Sequence, residues 1–240
     1  MKTVLIAGAS SGIGKAGAEV LTANGYRVIL VARNQEKLEK MQKELGPNAY
    51  GFAYDLNDID HIQTIFDYCK ERQFLIDGLV YCAAVSEGPE PGPFRAINIE
   101  AVEQTLRLNC LAFAEMGKMM ALRRYSANGG SIVAISSLSA ATAYAGTAAY
   151  TMSKSAFNAA CRVLSKELFR RRIRVNMIMP GYVRTPRTAG WSDDRVIAEQ
   201  PFGFIEPEEV AWLVEFLISD KSRSITGAEI PVSGGMFFGR

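Results

Sequence analysis

Three polar residues in the C-terminal half of the sequence have types and spacing suited to moving a proton. Tyr150 and Lys154 lie four residues apart in a segment with helical periodicity, so both side chains project from one face. A lysine ammonium beside a phenol lowers the pKa of that phenol, which makes the tyrosine a usable proton donor and acceptor near neutral pH. Ser137, thirteen residues before Tyr150, can donate a hydrogen bond to an oxygen on which negative charge develops.

Each of these residues also has a plainer interpretation when it is taken alone. A tyrosine and a lysine at this spacing are common partners on an exposed helix face, and Ser137 could be any serine at a strand end. Tyr144, between Ser137 and Tyr150, suits a substrate pocket and simple packing equally well. The residues therefore indicate an active site only if a second feature accompanies them.

A glycine turn near the N-terminus is that second feature. The apolar run at 3–7 leads into Gly8-Ala-Ser-Ser-Gly12-Ile-Gly14, and a helical pattern follows at once. Such a turn lets the backbone approach a pyrophosphate, although three glycines could also make a tight corner. It lacks the lysine and Ser/Thr of a P-loop, which argues against phosphoryl transfer. A dinucleotide beside a proton donor indicates a redox enzyme, and we expect the cofactor phosphates to contact Gly8, Ser10, Ser11, Gly12, Ile13 and Gly14.

The end of the second predicted strand favours one dinucleotide over another. An NAD site has a carboxylate here that accepts hydrogen bonds from the ribose, but no acidic residue occurs at 27–35. Arg33 can instead present its planar guanidinium to a 2′-phosphate. We therefore predict NADP(H) rather than NAD(H), although a solvated arginine would also account for Arg33.

The rest of the sequence alternates apolar runs with helical periods. Most of the runs are apolar throughout, which is typical of strands in a parallel sheet covered on both faces, and the alternation indicates βαβ units. We predict an α/β fold in a single domain, with a doubly wound parallel sheet of seven strands and helices on both faces. Strands are predicted at 4–7, 27–32, 49–54, 78–82, 131–136, 173–179 and 228–232, and helices near 12–24, 35–45, 58–72, 97–126, 149–171 and 207–219.

Three further segments follow predicted strands, and ligands bind at the carboxyl ends of strands in such sheets. The segments at 88–93 and 185–204 hold prolines and glycines with little periodicity, so both are expected to border the site. The region at about 185–206 would make a substrate lid, but a plain surface excursion explains it nearly as well. Asp55 and Leu56, after the third strand, suit either the adenine amino group or the N-cap of a short turn.

Composition excludes several other classes of function. The 240 residues carry a net charge of +2 and are 48% apolar, so a large core is available and nothing points to nucleic acid or an anionic membrane. No apolar run is long enough to span a membrane, and a strand begins too early for a signal segment. Four cysteines without a Cys-x-x-Cys pair and one histidine, His61, argue against disulfides, a metal site and Ser-His-Asp chemistry. We expect a cytoplasmic protein that acts on a small molecule.

Together these motifs resemble those of the short-chain dehydrogenase/reductase family over nearly the whole sequence. Tyr150 and Lys154 match the family's Tyr-x-x-x-Lys, and the glycine turn matches its glycine motif, with Ala7 in place of the usual threonine. The family's catalytic serine falls on Ser137, and the asparagine that completes its tetrad falls on Asn109. The resemblance, which extends to members like the 3-oxoacyl-carrier-protein reductases, implies an NADP(H)-dependent oxidoreductase that interconverts a carbonyl and a secondary alcohol.

The resemblance also implies roles for the four matched residues. Tyr150 would donate a proton to the developing alkoxide, and Ser137 would hydrogen-bond the substrate oxygen. Lys154 would lower the pKa of Tyr150 and hold the nicotinamide ribose, and Tyr150 itself would also contact the cofactor. Asn109 would hold a helix distortion and a water that leads protons to Lys154. The helices carrying Asn109 and Tyr150 would pair across a homodimer, often within a homotetramer.

Other cofactor contacts are implied by the same resemblance. After the sixth strand, the turn Pro180-Gly181 would place Val183 and Thr185 against the nicotinamide carboxamide. After the fourth strand, Ala83 is the residue retained from the family's Asn-Asn-Ala-Gly, which is Tyr81-Cys-Ala-Ala84 here.

Departures from the family pattern leave the substrate open. Ser233 stands where Asp or Asn is usual, and 200–204 lacks an arginine often found in ketoacyl reductases. Keto-acyl thioesters, keto sugars, steroids and small ketones all remain candidates. A catalytically silent NADP-binding regulator and an epimerase or dehydratase with transient cofactor use are alternatives, although the intact tetrad argues against the regulator. Three apolar residues of the predicted lid either suggest an apolar substrate or pack the lid itself: Trp191, Phe202 and Phe204.

Overall fold

The computed structural model describes residues 1–85 and 92–236, so positions 88–91 of the predicted proline-rich segment lie outside the described residues. Within the described part of the chain there are seven β-strands and nine α-helices. The strands are β1 (Thr3–Ala7), β2 (Arg27–Ala32), β3 (Ala49–Ala53), β4 (Ile76–Tyr81), β5 (Ser126–Ile135), β6 (Ile173–Pro180) and β7 (Glu229–Val232). The helices are α1 (Gly12–Ala23), α2 (Gln35–Leu45), α3 (Gln63–Glu71), α4 (Ile99–Leu106), α5 (Ala112–Met120), α6 (Ser139–Thr142), α7 (Ala148–Leu168), α8 (Asp193–Glu199) and α9 (Pro207–Ile218).

All strand pairs of the sheet are parallel, in the order β3-β2-β1-β4-β5-β6-β7. The order reverses between β1 and β4, which lie side by side with Ala7 opposite Tyr81. In an open α/β sheet the crevice at such a switch point is the ligand-binding position. The predicted doubly wound parallel sheet is confirmed.

Both faces of the sheet are buried because alternate side chains of each strand point to opposite sides. On one face, Val4 and Ile6 pack in a cluster that includes residues of α1, α2 and α9. On the other face, Leu5 and Ala7 join residues of α3, α5 and α7. The central strands are thus mostly apolar because both of their faces are buried, as their sequence indicates, whereas the edge strands β3 and β7 are partly exposed.

The prediction of one continuous helix at 97–126 is wrong. The chain forms α4, then a five-residue π-helical turn at Arg107–Leu111, then α5, which ends at Met120. Asn109, where the family resemblance implies a helix distortion, lies within this turn. Short π-helical turns of this kind interrupt α-helices and often occur at functional sites.

The fifth strand begins five residues before its predicted start at 131, at Ser126. Gly129 and Gly130 have positive φ angles of 107° and 156°, and a Cβ on Gly130 would lie 2.5 Å from the carbonyl oxygen of Asp77. The register with β4 shifts at this point, as in a β-bulge. The two glycines therefore form an irregularity within a strand, where the sequence suggested a loop.

Two shorter segments also differ from prediction. The helix expected from residue 58 starts with a 3₁₀ turn, Ile59–His61, and α3 follows at Gln63. The segment at 185–206 was expected to be irregular but contains α8, whose N-cap Ser192 accepts a hydrogen bond from the Arg195 backbone N–H. Ser192 followed by two aspartates is the helix-start signal there.

Two glycines of α1 provide a matched test of close packing at the glycine turn. A Cβ on Gly14 would lie 2.2 Å from the Gly8 carbonyl oxygen, whereas a Cβ on Gly17 would meet nothing within 4 Å. We expect Gly17→Ala to be neutral or to raise the free energy of unfolding by up to about 1 kcal/mol, because alanine favours helix. Gly14→Ala should lower it by about 1–3 kcal/mol through overpacking. Urea denaturation measures both, and equal effects of the two changes would contradict this account of the turn.

Candidate active site

Helix α7 carries Tyr150 and Lys154 near its N-terminus. Its buried residues recur at helical spacing, among them Lys154, Phe157, Asn158 and Cys161, so this face packs against the sheet. Lys154 is only 1% exposed, and its Nζ donates a hydrogen bond of 2.8 Å to the carbonyl oxygen of Ile135 at the end of β5. The same Nζ lies 5.9 Å from the centroid of the Tyr150 ring. The helix and the fifth strand together place an ammonium beside the phenol.

The pKa of Tyr150 lies below the ordinary tyrosine value. Burial alone would raise this pKa, but two cations, Lys154 and Arg187, stabilise the phenolate and lower it. Hydrogen bonds from Ser137 and Arg187 to the phenol act in the same direction. The surroundings therefore bring the pKa of the phenol closer to neutral pH. The sequence predicts this effect from the spacing of Tyr150 and Lys154.

The pKa of Lys154 is also lowered. Burial in the core is the main cause, and the charge of Arg187 adds to it, while the neighbouring Tyr150 raises the pKa. Because a buried cation is costly unless it is paired, the backbone acceptor at Ile135 and the phenol are the groups that keep this ammonium in place.

Ser137 lies just beyond β5, at the carboxyl edge of the sheet. Its Oγ accepts a hydrogen bond of 3.2 Å from the Ser139 backbone N–H, and its hydroxyl hydrogen-bonds the Tyr150 phenol. The adjacent Ser136 hydroxyl donates to Oδ1 of Asn158 on α7, which fixes the strand end against the helix. The end of β5 and the start of α7 therefore bring the hydroxyl groups of Ser137 and Tyr150 together.

Asn109 is fully buried in the π-helical turn. Its Oδ1 accepts from the Val85 backbone N–H at 2.8 Å, and its Nδ2 donates to the Val85 carbonyl oxygen at 2.9 Å. The same Nδ2 donates to Ser153 Oγ at 3.0 Å, and Ser153 in turn donates to the Tyr150 carbonyl oxygen at 2.7 Å. Asn109 thus joins the segment after β4 to the helix of Tyr150. Sequence reasoning missed Ser153, although it directly precedes Lys154.

The glycine turn lies against the segment that follows β4. Gly8 has a φ of 84°, and a Cβ there would lie 2.7 Å from the Ala83 nitrogen. Ser11 is the N-cap of α1 and makes no side-chain hydrogen bond to the helix, whose first turn holds no acidic residue. The helix therefore presents its N–H groups and the positive end of its dipole at the crevice. Ser10, Gly12 and Ile13 lie in the same turn and are half-buried.

The turn after β6 closes the other side of this crevice. A Cβ on Gly12 would lie 3.0 Å from Cγ2 of Thr185, so Thr185 is in contact with the glycine turn. Pro180 ends β6, and the Gly181 N–H donates to the Val232 carbonyl oxygen. Val183 is buried and pairs with Ile205 as a parallel bridge. The structure therefore brings the Pro180-Gly181 turn and the glycine turn together, as the sequence motifs indicate.

The residues expected around the adenosine lie further along the same edge of the sheet. Arg33 is exposed directly after β2. Asp55 accepts hydrogen bonds from the backbone and side chain of Asn57, both 3.0 Å long, which is the local turn that the sequence allowed as its alternative role. Leu56 is buried in the core.

The segment at 185–206 is tied to the sheet at its base. Beside the Val183–Ile205 bridge, the fully buried Gln200 uses both ends of its amide: Oε1 accepts from the Tyr182 N–H at 2.7 Å and Nε2 donates to the Tyr182 carbonyl oxygen at 3.0 Å. The three aromatic residues noted in the sequence do not form one apolar wall. Trp191 packs edge-on against Tyr182, Phe204 lies under the guanidinium of Arg184, and Phe202 is 85% exposed.

Arg187, like Ser153, is a residue of this site that the sequence did not indicate. It follows β6 within a 3₁₀ turn, Pro186–Thr188, and its guanidinium carbon lies 5.9 Å from the centroid of the Tyr150 ring. An arginine in an irregular segment has no periodic or motif signal, so its approach to Tyr150 depends on the turn that carries it.

The arrangement suits a nicotinamide dinucleotide. The glycine turn leaves no room for a Cβ at Gly8 or Gly14, its helix has an N-terminus without a side-chain cap, and Thr185 borders the turn. A helix N-terminus of this kind suits phosphate groups. Arg33 and a phenol of lowered pKa follow other elements of the same sheet.

Sequence and structure comparisons agree with this assignment. A family model described as enoyl-(acyl carrier protein) reductase matches residues 8–237. The chain belongs to the short-chain dehydrogenase/reductase family. The members of this family are oxidoreductases, and the match covers both the glycine turn and the Tyr150 region.

Individual members of the family match this chain over nearly its full length. The chain is 33% identical to carbonyl reductase family member 4 of Xenopus laevis, over 98% of each chain. It is 31% identical to cis-4-hydroxycyclohexanecarboxylate dehydrogenase of Sinomonas cyclohexanicum, over 98% of this chain and 96% of the relative. The crystal structure of an actinorhodin polyketide ketoreductase variant with NADPH superimposes with a TM-score of 0.88 at 29% identity, covering 98% and 97% of the two chains. Among the described residues, no helix has the length and apolar character to cross a membrane.

A spectroscopic titration tests the electrostatics of Tyr150. We expect a phenol that ionises below the ordinary tyrosine range, and this step should be absent in Tyr150→Phe. In Lys154→Met the same step should move upward by roughly 1–3 pH units, because the stabilising charge is lost while the burial remains. Near-ultraviolet phenolate absorbance measures both. The step is separable because burial raises the pKa of six other tyrosines: Tyr26, Tyr54, Tyr68, Tyr81, Tyr125 and Tyr182.

An unchanged titration in Tyr150→Phe would contradict the lowered pKa. A step that persists unmoved in Lys154→Met would assign the effect to Arg187 instead of Lys154.

Proposed function

We propose that this chain is an NADP(H)-dependent oxidoreductase that interconverts a carbonyl and a secondary alcohol. The observation that supports this most strongly is a phenol of lowered pKa, Tyr150, beside a buried ammonium, Lys154, next to a phosphate-binding glycine turn. A general acid near a nucleotide crevice is the combination that carbonyl reduction requires.

The proposed cofactor-binding residues line the crevice in order. The N–H groups of α1, with Ser10, Ser11 and Ile13, would hold the pyrophosphate at the glycine turn. Asp55 and Leu56 would lie near the adenine, and Ala83, Val183 and Thr185 near the nicotinamide, with Pro180 and Gly181 supporting the last two. When bound, the nicotinamide supplies a hydride to the substrate carbon or accepts one from it.

Tyr150 would move the proton that balances this hydride. In reduction its phenol donates a proton to the carbonyl oxygen as the alkoxide forms, and in oxidation its phenolate takes the proton from the alcohol. Lys154 stabilises the phenolate between these two states. Ser137, which already hydrogen-bonds the phenol, would donate to the same substrate oxygen and stabilise its developing charge.

Asn109 would act through position rather than by touching the substrate. Its amide fixes Val85 and Ser153, and Ser153 holds the Tyr150 backbone. We further propose that the π-helical turn around Asn109 holds a water that returns protons to Lys154, because a side chain that is 1% exposed cannot exchange directly with solvent.

Arg33 supports NADP(H) over NAD(H). It is exposed at the end of β2, where an NAD site has an acidic residue that this chain lacks. A related polyketide ketoreductase was crystallised with NADPH, which agrees with this preference.

Three relatives suggest the substrate class. Their names describe a carbonyl reductase, a dehydrogenase of a hydroxylated alicyclic acid and a polyketide ketoreductase. We propose that the chain acts on a small carbonyl or secondary alcohol, and that the segment at 185–206 is the substrate lid.

We also propose a homodimer or homotetramer. Large apolar side chains are exposed on the helices that carry the candidate tetrad, with Leu111 50% exposed in the π turn and Val163 54% exposed on α7. Pairing of these helices across copies of the chain would cover them, and sedimentation velocity reports the resulting mass.

Oxidation of NADPH, and separately of NADH, against a panel of ketones, ketoacyl thioesters and keto sugars tests the proposed activity. Tyr150→Phe should lower kcat by about 10²- to 10⁴-fold, the usual contribution of a general acid. Its affinity for NADPH should fall far less than kcat, because the phenol oxygen is not needed to hold the phosphates.

Tight NADPH binding without turnover on any substrate would instead favour a nucleotide-binding regulator. Conversion of substrate without net consumption of NADPH would favour an epimerase or dehydratase. Unchanged kcat in Tyr150→Phe would exclude the proposed proton donor.

The cofactor preference rests on Arg33. Arg33→Ala should raise the KM for NADPH by roughly 10- to 100-fold, because hydrogen bonds to a charged group contribute about 1.5–3 kcal/mol. The KM for NADH should not change. Arg223→Ala is the matched control, since this exposed arginine lies by the Lys2–Asp220 ion pair at the opposite edge of the sheet. A wild type that prefers NADH would show that the interpretation of Arg33 is wrong.

A further inference from the structure

Arg187 is a second cation near the reactive phenol. Its guanidinium carbon is 5.9 Å from the centroid of the Tyr150 ring, the same distance as the Lys154 Nζ. Lys154 is buried, whereas Arg187 is exposed on the segment at 185–206. Of the two cations beside Tyr150, Arg187 is therefore the one that solvent can reach.

The turn that carries Arg187 is held at both ends. Thr188 Oγ1 accepts from the Thr185 N–H at 3.0 Å and donates to the Val183 carbonyl oxygen at 2.7 Å. Thr185 also caps the turn, and Pro186 occupies its first position, where a fixed φ suits the start of a helix. Arg187 is therefore presented from a fixed backbone, which is what a recognition residue requires.

Two other arginines, on or next to this segment, have protein partners for their guanidinium groups. Arg184 pairs with Glu206 at 2.9 Å and with Asp193 at 3.3 Å, and Arg195 stacks over the ring of Trp191. Within residues 1–85 and 92–236, Arg187 makes no ion pair with a carboxylate. Among the described residues, no carboxylate is named with the groups that shift the pKa of Tyr150 or Lys154. Within this part of the chain, Arg187 is thus a cation beside the phenol that no carboxylate neutralises.

We propose that Arg187 is a specificity residue that binds a carboxylate of the substrate while the substrate carbonyl faces Tyr150. This inference rests on the proposed function and names its substrate class: short or ring-shaped keto acids and hydroxy acids. Arginine binds carboxylates with two parallel hydrogen bonds, so it would both attract the substrate and orient its carbonyl.

The phosphates of the cofactor are the competing anion for Arg187. Thr185, two residues earlier, contacts the glycine turn, so the pyrophosphate is not far away. The contact that Arg187 makes is with Tyr150, beside which the reacting carbonyl would bind. The geometry therefore favours a substrate anion over the pyrophosphate.

A matched pair of ketones tests the inference, with 4-oxocyclohexanecarboxylate as the acid and 4-methylcyclohexanone as its neutral counterpart. Arg187→Gln should raise KM for the acid by roughly 10- to 100-fold, as expected when a charge-assisted hydrogen bond is lost. With the neutral ketone only kcat should fall, because Arg187 also lowers the pKa of Tyr150, while KM for this ketone and the Kd for NADPH should stay unchanged. Arg195→Gln removes the same charge from the same segment and should leave both substrates unaffected.

Equilibrium binding gives a readout that does not depend on turnover. Calorimetry of the protein with NADP⁺ should show that cyclohexanecarboxylate binds, that cyclohexanecarboxamide does not, and that Arg187→Gln abolishes the difference. This result without any ketone reduction would contradict the proposed function but support carboxylate recognition. Equal effects of Arg187→Gln on KM for the acid and the neutral ketone, or a loss of NADPH affinity, would overturn the inference.

Discussion

The burial of the Lys154 ammonium is the constraint on which the candidate site depends. A cation inside the core must be satisfied by neighbouring groups, since its desolvation is otherwise prohibitive. Here the carbonyl oxygen of Ile135 accepts from it, and the Tyr150 phenol lies beside it. The end of β5 and the first turns of α7 are therefore held together by the group that also sets the acidity of the phenol. The same interaction therefore contributes to stability and to the proposed chemistry. A shift of β5 or of α7 would change the surroundings of the phenol.

Around this lysine the structure joins four strand ends to one crevice. The glycine turn follows β1, Ala83 follows β4, Ser137 follows β5 and the Pro180 turn ends β6. Parallel strands make this possible because all of their carboxyl ends lie at the same edge. The π-helical turn contributes from outside the sheet, since Asn109 bridges the segment after β4 and the helix of Tyr150.

The sequence predicts those features of the fold and the site that require a particular residue type at a particular spacing. The seven strands, the glycine turn and the pairing of Tyr150 with Lys154 are of this kind, because burial and helix geometry leave few alternatives. The rest depends on contacts between distant segments. The family resemblance implies a helix distortion at Asn109, but the bounds of the π turn are seen only in the structure. The Gly129-Gly130 pair precedes the predicted start of the fifth strand, and only its position beside β4 shows that it belongs to that strand. Arg187 has no local signal at all, because its position is defined by a capped turn.

The parallel bridge between Val183 and Ile205 has a consequence for how this protein can diversify. It joins the two ends of the intervening excursion directly at the sheet, so the length of chain between them is not fixed by the core. Lengthening a flexible loop whose ends are already joined costs little, about 0.6 kcal/mol per doubling. If the excursion is the substrate lid proposed above, insertions in its exposed parts would change substrate preference while β5 and α7 keep their structure. The buried Val196 and Gln200 would have to be retained in any such exchange.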